Sequence, residues 1–154
     1  MSILRPISFE RIIAVSSTPA DAFRALTTGY SKWWTSGCGS IAEVGDRITF
    51  RFGEAFWVMQ ATILNSDFIE LECVDAHHVD SGLPPTILKE WEGTKLQWSI
   101  HRHGEGTQIA FTHEGLNTSL LCYRTCEQGW DHFFVGSLKK YLNDGVGTPF
   151  IHAE

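Results

Sequence analysis

Several features are absent, and each absence narrows the function. No apolar run approaches the ~18 residues of a membrane-spanning helix, and the opening MSILRPISFER lacks the apolar region of a secretory signal. Lys and Arg number 12 against 18 Asp and Glu, a formal charge of −6, and the densest basic cluster is the pair Lys139-Lys140. That balance argues against a general nucleic-acid binder, which needs clustered cations to neutralise phosphate. The four cysteines, Cys38, Cys73, Cys122 and Cys126, show neither CxxC nor zinc-ribbon spacing, so they read as reduced thiols of a cytoplasmic protein. Cys122 and Cys126 lie one helical turn apart, a spacing that suits ordinary packing or, alternatively, a vicinal thiol switch. Glycines recur over residues 36–45, but without GxGxxG or GK[ST], so no phosphate cradle is expected there. There is no repeat and no linker. At 154 residues the chain is read as one domain, 1–154, large enough for a real core.

Aromatic residues are plentiful: six Trp and ten Phe. Many fall in the last long periodic segment, residues 119–143, where Tyr123, Cys126, Trp130, Phe133, Phe134, Leu138, Tyr141 and Leu142 recur at spacings of three and four. This is one stripe of an α-helix, and such a stripe must be buried against another layer. Asn117, Thr118 and Ser119 offer N-cap oxygens, Lys139 and Lys140 suit the last turn, and Asn143 to Gly147 with Pro149 supply a stop. Gly129 and Gly136 sit seven apart within the helix; they either relieve crowding or admit a close approach of backbone to a neighbour or ligand.

Upstream, residues 7–15 read as a strand with Ile7, Phe9, Ile13 and Val15 on one face. Arg11 shares that face, so it reaches a polar part of the interior or the strand bulges there. Thr18-Pro19-Ala20-Asp21 is a helix start with a capping box, carrying Phe23 and Leu26 inward. A short turn then brings Trp33 and Trp34; adjacent helical residues diverge, so one of the two is expected at an exposed rim. Strands follow at 47–52 (with Phe50 and Phe52), 56–64 (with Met59) and 68–74, separated by turn residues. Residues 75–92 give no clear pattern beyond a loop at Gly82 to Pro85 and a brief strand or turn around Trp91. Residues 94–102 alternate cleanly around Leu96, Trp98 and Ile100, and 107–114 return with Ile109, Phe111 and His113 on one face.

Seven histidines raise the question of a metal. His101 and His103 share a strand face, and His77 and His78 are adjacent and so point to opposite faces. No third ligand stands at fixed spacing from either pair, so no metal and no cofactor are expected. His113 is the candidate general base or ligand contact, with a backbone-bonded histidine at a strand end as the plain alternative. Arg11 is the candidate for holding a carboxylate or phenolate through its planar fork, with an internal Asp or Glu partner as the alternative.

The motifs Thr18-Pro19-Ala20-Asp21-Ala22-Phe23, Trp33-Trp34, Glu92-Gly93-Thr94-Lys95-Leu96 with Trp98, Gly106-Thr107-Gln108-Ile109 with Phe111, Thr112-His113-Glu114-Gly115-Leu116 and Gly129-Trp130 occur in an order that resembles the SRPBCC or START-like superfamily. More narrowly the chain resembles the AHSA1-like branch, named for the C-terminal domain of the activator of Hsp90 ATPase. The resemblance implies a single START-like domain with an α+β helix-grip fold: a curved antiparallel sheet of about six strands around a long C-terminal helix, with two short helices after the first strand. It also implies a cavity between sheet and helix for a hydrophobic small molecule. The residues expected to line it are Phe23, Trp34, Phe50, Phe52, Met59, Trp98, Phe111, His113, Trp130 and Phe134, with Arg11. The alternative is that these rings simply fill the core. Two further readings stand beside ligand binding. One is an enzyme of the aromatase/cyclase or hydrolase type using His113. The other is an interaction module related to Hsp90 or to a homodimer, with a role in a stress response left open.

Overall fold

Alternation along the chain becomes alternation of burial across one antiparallel sheet. The computed structural model describes residues 8–153, so Ile7 lies outside them. The strands are β1 (Phe9–Val15), β2 (Arg47–Phe52), β3 (Ala55–Asn65), β4 (Phe68–His77), β5 (Lys95–His103) and β6 (Gly106–Glu114), in the spatial order β1-β6-β5-β4-β3-β2. On β5 the residues Leu96, Trp98 and Ile100 are buried, and on β6 Ile109, Phe111 and His113, each alternating with more exposed neighbours as a one-sided sheet requires. The pairing of β3 with β4 shifts register at Val58/Met59 and at Ala61/Ile63. Such bulges bend the strands that carry them and curve the sheet.

Between β1 and β2 run α1 (Pro19–Ala25) and a 3₁₀ turn at Tyr30–Lys32. The capping box of α1 is formed as expected: Thr18 Oγ1 accepts from Asp21 N at 3.1 Å, and Asp21 answers Thr18 N at 3.2 Å. The expected divergence of the two tryptophans does not occur. Trp33 and Trp34 are both buried, their rings stacked 5.9 Å apart at 16°. Both lie beyond the 3₁₀ turn, with Trp33 at φ −136°, so the 100° step of a helix does not separate them. Trp33 Nε1 donates to Ala25 O at 2.8 Å, which satisfies its indole inside the core.

The chain's last long element is a helix in three parts: α2 (Tyr123–Trp130), a π-helical stretch (Asp131–Leu138) and α3 (Lys139–Asp144). Its buried apolar residues, Cys122, Cys126, Trp130, Phe134, Leu138 and Leu142, follow a steady spacing of four. In a pure α-helix that spacing drifts about 40° per step, since 3.6 residues make a turn. The wider π stretch, with roughly 4.4 residues per turn, drifts the other way and returns the row to the sheet. Gly145 at φ 85° ends the helix in the left-handed conformation, as its glycine suggests.

The helix start differs from expectation. Asn117 Oδ1 accepts from Ser119 N at 2.9 Å, which makes a local turn, and the helix begins four residues later at Tyr123. The amides just before it, Leu121 N and Cys122 N, instead donate to the two oxygens of the Glu90 carboxylate at 3.0 and 3.1 Å. A carboxylate at a helix N-terminus is doubly favoured, by hydrogen bonding and by the helix dipole. Glu90→Ala is therefore expected to destabilise the protein by about 1–2 kcal/mol in urea unfolding; an unchanged midpoint would show that water replaces the cap at no cost.

Candidate functional site

Most of the space between sheet and helix is filled. Trp98 stacks on Phe111 at 5.3 Å and 20°, Phe111 meets Phe134 at 5.1 Å, and Tyr30 meets Phe50 edge-on at 5.0 Å. Phe50, Met59, Trp98, Phe111 and Phe134 are buried in this packing and do not line the hollow described next. Phe23, on α1, packs half-buried against the outside of the same core. Those positions were expected around a central cavity, but large rings of complementary tilt interlock there instead.

A hollow of about 230 Å³ remains at one end, where β3, the exit of β4 and the first half of the helix converge. Its walls include Trp34, Phe52, Trp57, Trp91, Trp130 and Phe133, with His78, Asp80, Thr125 and Cys126 as polar or thiol groups. Of the residues expected to contact a ligand, Trp34, Phe52 and Trp130 stand here. The helix wall is open at Gly129, where an added β-carbon would meet nothing within 4 Å. A second groove of about 510 Å³ along the Pro84–Leu88 segment shares Phe52, Ala55, His78, Val79 and Asp80 with it.

His113 lies behind this hollow, fully buried. Trp130 Nε1 donates to its Nδ1 at 3.1 Å, and its Nε2 stands 2.9 Å from Thr94 Oγ1. Because an indole only donates, Nδ1 must accept, so Nε2 carries the proton and donates to Thr94, which donates onward to Trp91 O at 2.7 Å. Both ring nitrogens are thus engaged by side chains rather than by backbone or ligand. Burial pushes the His113 pKa down to about 3, and a proton on Nδ1 would also face the indole N–H. Arg11 is not at the hollow. β1 pairs with β6 without a bulge, and the Arg11 guanidinium holds Asp131 at 2.8 Å and Glu127 at 3.3 Å on the helix, half-exposed. The internal-partner alternative for Arg11 is the one observed, and the two polar groups of the enzyme reading do not meet in one cavity.

Three chemically active side chains meet that the sequence spacing left apart. The ligand atoms of His78, Cys122 and Cys126 all lie within 4.8 Å of one another, and all three residues are buried. A bulge decides which histidine arrives. Met59 pairs with Cys73 but Val58 with Asp75, so Val74 is an extra residue in β4 and the inward parity changes from Cys73 to Ala76 and His78. His77 consequently stacks outside on Phe56 at 5.2 Å. The Cys126 thiol donates to Cys122 Sγ at 3.0 Å. This hydrogen bond, with the His78 imidazole beside it, lowers the Cys122 pKa, and the same bond with burial raises that of Cys126. Trp91, which sequence reasoning placed only in a strand or turn, walls the hollow and donates from Nε1 to Cys126 Sγ at 3.3 Å.

No protein-family model matches the chain, and no curated protein matches its sequence. Among solved structures it is similar to the Aha1 dimer from Colwellia psychrerythraea, at 25% identity over 92% of this chain and 99% of that one, with a TM-score of 0.74. The chain has the AHSA1-like helix-grip fold of the SRPBCC superfamily. The same AHSA1-like fold relates it to a Staphylococcus saprophyticus protein, at 18% identity over 94% of this chain and 98% of that one, with a TM-score of 0.70. DynU16, a protein of the dynemicin biosynthetic locus, aligns at 17% identity over 90% of this chain and 48% of its own length, with a TM-score of 0.67. No helix among the described residues is long and apolar enough to cross a membrane.

Since the folded His113 stays neutral while the unfolded one protonates near its ordinary 6.5, its contribution is fully present above pH 6.5 and is lost as pH falls toward about 3. Between pH 6.5 and 5, above the carboxylate range, stability should fall with a slope approaching about 1.4 kcal/mol per pH unit, to which His113→Asn makes no contribution. In ¹⁵N NMR spectra of the wild type the His113 ring should remain an Nε2–H tautomer throughout that interval.

Proposed function

We propose that this domain binds a small apolar or aromatic molecule, of one or two rings, in the hollow between the end of the sheet and the first half of the C-terminal helix. The observation that carries the reading is a hollow walled by four indoles and opened on its helix side by Gly129. Apolar surfaces with few convergent polar groups are the usual form of a small-molecule site. A volume of about 230 Å³ exceeds the ~150 Å³ that suffices for a benzene ring, which sets the ligand's size. The likeness to superfamily structures is in keeping with this reading. It assigns binding, and it routes no reaction through His113, whose nitrogens are both committed.

Tryptophan fluorescence offers the direct test, because Trp34, Trp57, Trp91 and Trp130 all stand at the walls. Titration with 1-naphthol should quench them with a Kd near ~10 μM, taking about −0.6 kcal/mol per heavy atom. Gly129→Leu, which fills the opening while improving helix propensity, should weaken that binding at least about tenfold with the fold intact. Absence of quenching in the wild type, or equal binding by the leucine variant, would remove the proposal.

Self-association is a second reading, favoured by the dimeric assembly of the Colwellia protein. Sedimentation equilibrium at micromolar concentration should then return twice the 17.3 kDa chain mass; a monomer at all concentrations would oppose it.

A further inference from the structure

We propose that His78, Cys122 and Cys126 form a binding site for a divalent thiophilic ion of the zinc type, set in the wall of the hollow. The inference needs no organic ligand and stands independently of the function proposed above.

The three donors come from two places far apart in sequence: the exit of β4 and the start of the helix. Their ligand atoms lie within 4.8 Å of one another, so small side-chain rotations bring them to the ~3.3–3.8 Å separations that bond lengths of ~2.0–2.3 Å require around one tetrahedral ion. Two thiols and an imidazole are soft donors, unsuited to Mg²⁺ or Ca²⁺ and suited to Zn²⁺ or Cu⁺. Charge separates the last two. With both sulfurs as thiolates a divalent ion leaves the buried site neutral, whereas a monovalent ion leaves a net negative charge away from water.

The surroundings already hold the donors. The Trp91 N–H points at Cys126 Sγ, the Cys122 amide is fixed by Glu90, and the His78 amide donates to Leu88 O at 3.0 Å. Such outer contacts orient ligands in established metal sites. His78 Nδ1 is buried without a hydrogen-bond partner. In the metal-free protein the sulfurs share a proton across 3.0 Å. Metal binding releases both thiol protons to solvent, the one in that bond and the one on Cys122 Sγ, and rotates the sulfurs apart, to about 3.8 Å for tetrahedral thiolates. His78 and Cys126 also border the hollow, so the fourth position of a four-coordinate ion opens toward it, for water or another donor.

The test uses the full chain, reduced and stripped with a chelator, then titrated with Zn²⁺ against a chromophoric competitor and with Co²⁺ as a spectroscopic reporter. One equivalent should bind, and the cobalt form should show thiolate-to-metal charge transfer with tetrahedral d–d bands. Cys126→Ser and His78→Gln should each weaken Zn²⁺ binding by about 100-fold or more. Cys38→Ser and Cys73→Ser, whose thiols lie outside the cluster, should leave it unchanged. Near-UV circular dichroism reports whether each variant folds, and Cys122→Ala replaces any that does not. The proposal is overturned if the reduced wild type takes up no stoichiometric Zn²⁺, if cobalt binds without thiolate charge transfer, or if folded cluster variants bind as tightly as the wild type.

Discussion

The position of the helix on the sheet depends on a buried imidazole that must spend both of its nitrogens. His113 receives the Trp130 indole on one side and gives its proton to Thr94 on the other, and Thr94 passes the chain of donors to the Trp91 carbonyl. A donor-only indole and a neutral ring permit one tautomer and one direction of bonding. Strand β6, the turn before β5 and the helix are thereby held in register with one another. Apolar contact among rings is strong but indifferent to small sliding, whereas an unmet buried donor is costly, so this polar thread selects one arrangement from several of similar packing.

The placement of the hollow follows from how the rings fill the rest. Over the middle of the sheet, Tyr30, Phe50, Trp98, Phe111 and Phe134 pack ring against ring. Toward the exit of β4 the sheet curves away at its bulges, and the helix presents Gly129 where a larger residue would close the gap. Trp91 and Trp130, fixed by the polar thread, form two of the walls. The same exit brings the thiol pair beside His78, so an apolar chamber and a cluster of soft donors share a boundary.

The sheet was largely legible because period-two patterns such as Leu96-Trp98-Ile100 and Ile109-Phe111-His113 state their own inner face. The helix was legible as an amphipathic stripe, though its start was not. Asn117 and Ser119 are good local capping residues, but the working cap is Glu90, and no rule of local spacing connects residue 90 to residues 121 and 122. The site suffered most. Residues 75–92 alternate poorly because they combine a bulge, a loop and a 3₁₀ turn, yet they supply His78, Asp80 and Trp91 to the walls. Phe50, Met59, Trp98, Phe111 and Phe134 are buried and do not wall the hollow, since inwardness alone does not distinguish a side chain that meets another from one that meets a void.

The extra residue in β4 has a consequence for how domains of this fold diversify. Val74 works as a frameshift in side-chain parity: everything beyond it in the strand is turned over, with no change in the amino acids themselves. Were the strand to keep every residue and pair without the bulge, the ring now stacked on Phe56 would turn toward the thiols and its neighbour to solvent, so a slip of pairing here acts on chemistry more sharply than substitution does.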